Sequence, residues 1–304
     1  MASAASSNSG FGLEGKTVVV LGVADRSSIA WGIAEAFFKH GARITIGYQQ
    51  RFFSRIRLLL QEFPGVQGAR CDVLDEQELS DFFARLEQDG IDVLVHAVAF
   101  GPPEVFTENP SEVSAEGFSQ TLAISAHSLC KVARYAKPHL RDWASVITLT
   151  FQASERSVPM YGTMGIAKSA LESIVRYLAL ELGKKRVRVN AVSPGPIETI
   201  AALGEALAFI RSPQALARQR GELFRSAIEA ARRELGDKVP DEIALAQAVW
   251  KRVQTAFAAK SAIEETVTKE DVAACALFLG SDFSRKITGQ VIHVDCGLST
   301  ALIM

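Results

Sequence analysis

The sequence predicts an α/β protein built on a doubly wound parallel sheet. Seven short apolar runs read as strands, and helix-period segments alternate with them along almost all of the 304 residues. Several runs are apolar nearly without interruption, which suits strands covered on both faces. Regular alternation of strand and helix is the pattern of a parallel sheet flanked by helices.

The first strand is expected at "TVVVLGV" (17–23), followed by a helix through "SIAWGIAEAFFKHG", where Gly41 is the stop signal. The next strands fall at "ARITIGY" (42–48), "GARCDV" (68–73), "DVLVHAV" (92–98) and "SVITLTF" (145–151). Pro159 then ends an extended segment, and Tyr161 stands near the start of a helix. The last two strands are "VRVNAVS" (187–193) and "GQVIHVD" (289–295). Between them the rhythm breaks. From about Leu203 to Glu265 there is no strand, only two helix-like segments. One spans 214–235 and stops at Gly236; the other spans 241–260 after Pro240, with Ile243, Ala246, Val249 or Trp250, Val253 and Phe257 at helical spacing. The small, polar residues 1–12 read as a disordered tail and 13–304 as one domain that includes the helical insertion at 203–265.

The net charge of −1, with Lys and Arg scattered, leaves no electrostatic footprint for nucleic acid. No apolar run reaches the roughly 18–20 residues that cross a bilayer, and the N-terminus lacks a signal peptide's basic start and apolar middle. Cys71, Cys130, Cys275 and Cys296 are far apart, with no CxxC pair, and read as buried free thiols of a cytoplasmic protein, with no metal site expected.

The first strand runs into "GVADRSSIAWGIA" (22–34). A glycine at the strand end permits a tight turn, and a following helix N-terminus offers free N–H groups to a pyrophosphate. The GxGxxG spelling is absent, so Gly22 alone is also compatible with a plain strand-to-helix connection. "CDV" (71–73) puts Asp72 where it could accept a bond from an adenine amino group while Val73 packs on the ring; Asp72 could equally cap the helix before "LDEQEL". "HAVAFG" (96–101) ends the fourth strand, beside the expected nicotinamide–ribose region, and such sheets bind ligands beyond the carboxyl ends of their strands. After the second strand, Gln49 and Gln50 are neutral where an acidic residue would mark NAD, and Arg51 follows. The reading is NADH, with NADPH left open because Arg51 is either a solvated charge or a phosphate ligand.

Tyr161 and Lys168 are separated by six residues, almost two helical turns, so both face one side about 10 Å apart along the axis. With "GVADRSSIAWGIA", "GYQ", "CDV", "HAVAF", "ERSVPMYGTMGIAKSALE", "VRYLALELG", "VRVNAVSPGPIETIAA", "TVTKEDVAACALFLGSD" and "ITGQVIHVDCGLS", this spacing resembles a short-chain dehydrogenase/reductase. Within that group the sequence is similar to the NADH-dependent enoyl-acyl-carrier-protein reductases of bacterial fatty-acid synthesis, over about residues 14–202 and 266–301. Ordinary short-chain dehydrogenases place three residues between tyrosine and lysine; the enoyl reductases place six.

The resemblance implies a Rossmann-type sheet and reduction of an enoyl thioester on acyl carrier protein or coenzyme A. In its terms Lys168 holds the nicotinamide-ribose hydroxyls, and Tyr161 binds the thioester carbonyl as hydride reaches the β-carbon. Gly22, Ala24, Ser28 and Ile29 form the pyrophosphate turn, and Gln49, Asp72, Val73 and Ala97 line the adenosine and ribose. Pro196 and Ile197 meet the carboxamide while Thr199 contacts the phosphates. Ala99, Phe100, Phe151 and Met164 fall at the acyl side. A homotetramer built on long helices, including 165–182, is also implied.

Three departures stand out. Phe151 occupies the position, ten before Tyr161, where the family usually has a second tyrosine; Ala99 replaces a common glycine; and the span from Thr199 to Thr268 is roughly forty residues longer than in short bacterial members. Phe151 is expected to retune the site, and the longer span is either an enlarged lid or a structural or subunit-contact insertion. Another short-chain reductase acting on a carbonyl, or a catalytically weak nucleotide-binding sensor or scaffold, stay open as alternative readings.

Overall fold

The computed structural model describes residues 11–86, 90–236 and 241–300. Most of the expected tail therefore lies outside the described residues. β1 (Thr17–Leu21), α1 (Ile29–Lys39), β2 (Arg43–Tyr48), α2 (Phe53–Glu62), β3 (Val66–Arg70), α3 (Glu76–Ala84) and β4 (Ile91–His96) make the first half. The chain continues through α4 (Glu104–Thr107), α5 (Ala115–Leu122), a π-helical turn at Ala123–His127, α6 (Ser128–Ala136), β5 (Leu140–Leu149), α7 (Gly162–Gly183) and β6 (Arg188–Pro194). It closes with α8 (Ile200–Arg211), α9 (Pro213–Arg218), α10 (Glu222–Leu235), α11 (Glu242–Ala258), α12 (Lys269–Gly280) and β7 (Val291–Val294).

All seven expected strands form one sheet in the order β3-β2-β1-β4-β5-β6-β7, with every pairing parallel. The chain moves outward from β1 to β3 and then returns to β4, so a crevice opens beyond the carboxyl ends of β1 and β4. β1 and β6 are buried at every position, as strands covered on both faces must be. On one face, Ile33 and Phe37 of α1 pack with Val272, Ala276 and Leu279 of α12. On the other, Leu79, Phe82 and Phe83 of α3, Val132 of α6 and Leu171 and Val175 of α7 form a second apolar layer.

A third apolar cluster sits beyond the strand ends. It joins α8, α9, α10 and α11 to α4 and to the beginning of α7 through Ala206, Phe209, Ile228, Trp250, Val105 and Met164. Each helix of the insertion has one apolar stripe, and burying it against the others and α4 fixes the group as a unit.

Two boundaries differ from expectation. The third strand ends at Arg70, so Cys71-Asp72-Val73 forms the turn after it rather than its last residues. The expected single helix over 214–235 is two, because Arg220 turns at φ 55° and Gly221 packs against Leu216 and Met160. Gly236 ends α10 with φ 65°, the left-handed conformation glycine adopts at little cost. Of the four free cysteines only Cys71 is buried; Cys130, Cys275 and Cys296 are half-buried, each lying where an element borders solvent.

Candidate active site

Gly22 leaves β1 at φ 94°, and a Cβ there would stand 2.1 Å from the carbonyl oxygen of Ala97. Glycine is therefore required, and the end of β1 lies directly against the end of β4. Backbone bonds from Gly22 N–H to Gly47 O (3.1 Å) and from Ala97 N–H to Leu21 O (3.0 Å) tie the ends of three strands together. Ala24 stands in the turn that follows. Ser28 caps α1: its hydroxyl accepts from Trp31 N–H and donates to Asp25 O, and Ile29 opens the helix. This bare backbone turn in front of an 11-residue helix fits a dinucleotide pyrophosphate.

One rim of the crevice holds a polar pair. Gln49 donates to Asp72 at 3.0 Å, and the other Asp72 oxygen accepts from Leu74 N–H at 2.9 Å. The alternative of Asp72 as a helix cap does not hold, since Asp75 accepts from Gln77 and Glu78 N–H and caps α3 itself. Val73 is buried beside Cys71. Arg51 lies over two rings, 4.7 Å from Phe52 and 5.5 Å from Phe100.

The loop after β4 is anchored from below. Ser125, in the π-helical turn, accepts from Phe100 N–H at 3.0 Å and donates to Phe100 O at 2.9 Å. A π-turn carries one extra residue, which redirects the side chains around it. Ser128 at its end meets His96 Nε2 at 2.8 Å, and Thr148 meets His96 Nδ1 at 3.1 Å. Ala99 is exposed, so its methyl borders open space.

Tyr161 occupies the N-cap position of α7, following Met160, which is held at φ 67°. Its ring packs between Phe151, at 5.1 Å and 66°, and Phe106, at 6.1 Å. Tyr161 is half-buried between these two rings. Loss of hydration, and then the carboxylate of Glu205, hold that phenol well above the usual range, so it stays protonated. Met164, one turn on, is buried and faces Gly101.

Lys168 is buried two turns into α7 and donates from Nζ to Leu149 O at 2.9 Å. Burial pulls its pKa down to about 8, against the opposing pull of Glu172 and Glu205. Glu172 accepts from Thr150 Oγ1 at 2.6 Å.

The loop after β6 passes between the crevice and the insertion. Ile197 packs on the α1 face of the core. Thr199 caps α8, its hydroxyl accepting from Ala202 N–H at 3.2 Å. Gln254 of α11 donates to Pro196 O at 3.1 Å. A cleft of about 310 Å³ runs along this loop between Ser27, Ile197, Gln254 and Val267.

Tyr161, Lys168, Phe151 and Met164 thus converge at the start of α7, and the predicted cofactor residues line the strand ends and the loop after β6. Sequence reasoning missed Glu205, Gln254 and Ser125. A single acidic residue in the apolar run "TIAALGEALAF" was the available signal for Glu205; a surface-type glutamine and a serine carry none.

The family described as enoyl-(acyl carrier protein) reductase matches residues 22–220 and 242–299. The unmatched residues 221–241 include all of α10. The NADH-dependent enoyl-acyl-carrier-protein reductase 1 of Rhizobium meliloti strain 1021 is 35% identical over 291 residues, covering 95% of this chain and 92% of that one. The crystal structure of the NADH-dependent enzyme from Aquifex aeolicus VF5 superposes with a TM-score of 0.77 at 31% identity, covering 96% of this chain and 99% of that one. The Anaplasma phagocytophilum reductase in complex with NAD gives 0.76 at 29% identity, covering 96% and 94%.

Proposed function

The chain belongs to the enoyl-(acyl carrier protein) reductase family, and on that premise we propose that it uses NADH to reduce the trans-2 double bond of an enoyl thioester in fatty-acid or related acyl-chain synthesis. The observation that carries this reading is the pair at the start of α7, a protonated phenol held between two aromatic rings and followed two turns later by a buried lysine.

Tyr161 donates its hydroxyl to the thioester carbonyl oxygen. Charge accumulates on that oxygen as the enolate forms, so the bond strengthens towards the transition state and lowers the barrier preferentially. Partial loss of hydration keeps the phenol protonated and able to donate. Phe151 and Phe106 fix the ring's orientation without offering a second hydroxyl. Lys168, steadied by Leu149 O, holds the ribose hydroxyls, while Gly22, Ala24, Ser28 and Ile29 receive the pyrophosphate, Thr199 borders the phosphates, and Pro196 and Ile197 border the nicotinamide carboxamide. The bound nicotinamide supplies the hydride. Gln49, neutral and paired to Asp72, supports NADH as the carrier, and Arg51 leaves NADPH a weaker substrate.

Acyl carrier protein is the proposed donor, in a cytoplasmic setting; exposed Arg225, Arg232 and Arg233 on α10 suit an acidic partner. A homotetramer is supported by Ile166, Tyr177 and Leu180, exposed apolar residues on α7 at 42%, 72% and 75%. The direct test is NADH consumption with a trans-2-enoyl thioester, run beside 3-oxoacyl thioesters and simple ketones. Turnover confined to the carbonyl compounds would overturn the reading, and normal turnover by Tyr161→Phe would sink the assigned mechanism.

A further inference from the structure

Three buried hydroxyls follow one another along α5, the π-helical turn and α6. Thr121, Ser125 and Ser128 are spaced by four and three residues, so they share one side, and each is fully buried. That side faces the exit of β4. Ser128 Oγ meets His96 Nε2 at 2.8 Å, and Ser125 Oγ meets the backbone of Phe100. Thr121 lies beside Gly101, where a Cβ would stand 3.2 Å from its hydroxyl.

The three differ in where their own protons go. Thr121 donates to Gly117 O at 2.7 Å and Ser128 to Ile124 O at 2.5 Å, each within its own helical run. Ser125 instead directs both of its bonds across to one residue: it accepts from Phe100 N–H at 3.0 Å and donates to Phe100 O at 2.9 Å. The ring of Phe100 is met separately by the Arg51 guanidinium, 5.5 Å from its centroid. Gly101, the next residue, leaves no room for a side chain, since a Cβ would lie 2.5 Å from Val105 Cγ2 and 3.3 Å from Met164 Cε. The Phe100–Gly101 segment is therefore a wall set against α4 and the first turn of α7, and Ser125 holds its backbone. The π-turn itself packs on α7, so Ser125 belongs to the same frame as Tyr161.

We propose that Ser125 is a positioning residue for the acyl chain: by fixing both backbone groups of Phe100 it sets the gap between the Phe100–Gly101 wall and Met164, and with it the placement of the enoyl group relative to Tyr161. This rests on the proposed reductase reading, in which Phe100 and Met164 border the acyl side. A π-turn suits the task, because its extra residue redirects the side chains around it. Short and long chains depend on the wall differently. A short enoyl group has little besides the wall to orient it, whereas the remote carbons of a long chain supply binding energy that restores the reacting geometry. Without the hydroxyl, Phe100 N–H and O lose their partner and the wall shifts, so short substrates lose more than long ones.

The test measures kcat/KM for crotonyl and dodecenoyl thioesters in the wild type, Ser125→Ala, Ser125→Cys and Ser125→Thr, with Ser128→Ala as the control that loses a neighbouring hydroxyl. In Ser125→Ala the ratio of long-chain to short-chain kcat/KM is expected to rise about fivefold or more, and the Kd for NADH to stay within about twofold. The Cys variant keeps the volume and weakens both bonds, so it reports the same shift if the Ala variant does not fold. Ser125→Thr retains the hydroxyl and Ser128→Ala retains Ser125, so both are expected to keep the ratio near the wild-type value. A merely structural loss lowers both substrates alike. An unchanged ratio in the Ala variant, or in the Cys variant where Ala does not fold, would overturn the proposal, as would an equal shift in Ser125→Thr or Ser128→Ala. Inactivity of the wild type towards every enoyl thioester would defeat the reductase reading instead. Amide hydrogen exchange at Phe100 and Gly101, expected to quicken in Ser125→Ala, then decides separately whether Ser125 holds the wall.

Discussion

The ring of Phe151 meets that of Tyr161 edge to face, with 5.1 Å between centroids and 66° between planes. Such a pair contributes about 0.5–1.5 kcal/mol beyond simple burial and holds the phenol in one orientation. Phe151→Tyr keeps this contact and adds a hydroxyl beside the reacting oxygen. We expect unchanged thermal stability and a kcat/KM within about tenfold of wild type. Phe151→Ala removes the contact and is expected to cost roughly 2 kcal/mol of stability, and more activity than the tyrosine variant. Thermal denaturation and steady-state kinetics measure both.

Lys168 is a buried cation bound to Leu149 O. Replacing it by methionine keeps the volume and removes the charge whose burial is unfavourable. Lys168→Met is therefore expected to fold with an undiminished Tm, yet to weaken NADH binding at least about tenfold through loss of a charge-assisted bond. Calorimetric titration with NADH tests this.

Gln254 of α11 holds Pro196 O at 3.1 Å, linking the insertion to the loop beside the cofactor crevice. Gln254→Leu should raise KM for NADH about three- to tenfold, the effect of one lost bond of about 1 kcal/mol, and leave kcat within about twofold. An unchanged KM would show that the loop keeps its position without α11.

His96 is buried between Thr148 and Ser128, and burial, aided by Lys168, pushes its pKa from 6.5 down to about 3. The unfolded chain takes up this proton near pH 6.5 and the folded one resists until about pH 3. Stability is thus full above pH 6.5 and falls through that window by up to about 1.4 kcal/mol per pH unit. Denaturant midpoints measured from pH 7 to pH 4 should flatten in His96→Asn relative to wild type.

The sheet was legible because its cause is local. Runs such as "TVVVL" and "VRVNAVS" are apolar on both sides, and only a strand buried on both faces uses such a run. The same holds for Tyr161 and Lys168, whose shared side follows from their separation on one helix. Where contacts are distant, the sequence was silent or misleading. The break at 219–221 depends on Gly221 meeting Met160, about sixty residues away. The Gln49–Asp72 bond joins two strand ends, and the anchoring of Phe100 depends on a serine in a π-turn.

By itself, then, the sequence determined seven strands, their parallel class, and the tyrosine and lysine on one helical side, since periodicity along a single segment encodes each of these. Tertiary structure alone decided which ring orients Tyr161 and that α11 braces the loop at Pro196. Those relations arise where separate apolar faces pack together, and a contact between distant segments leaves no trace in the period of either one.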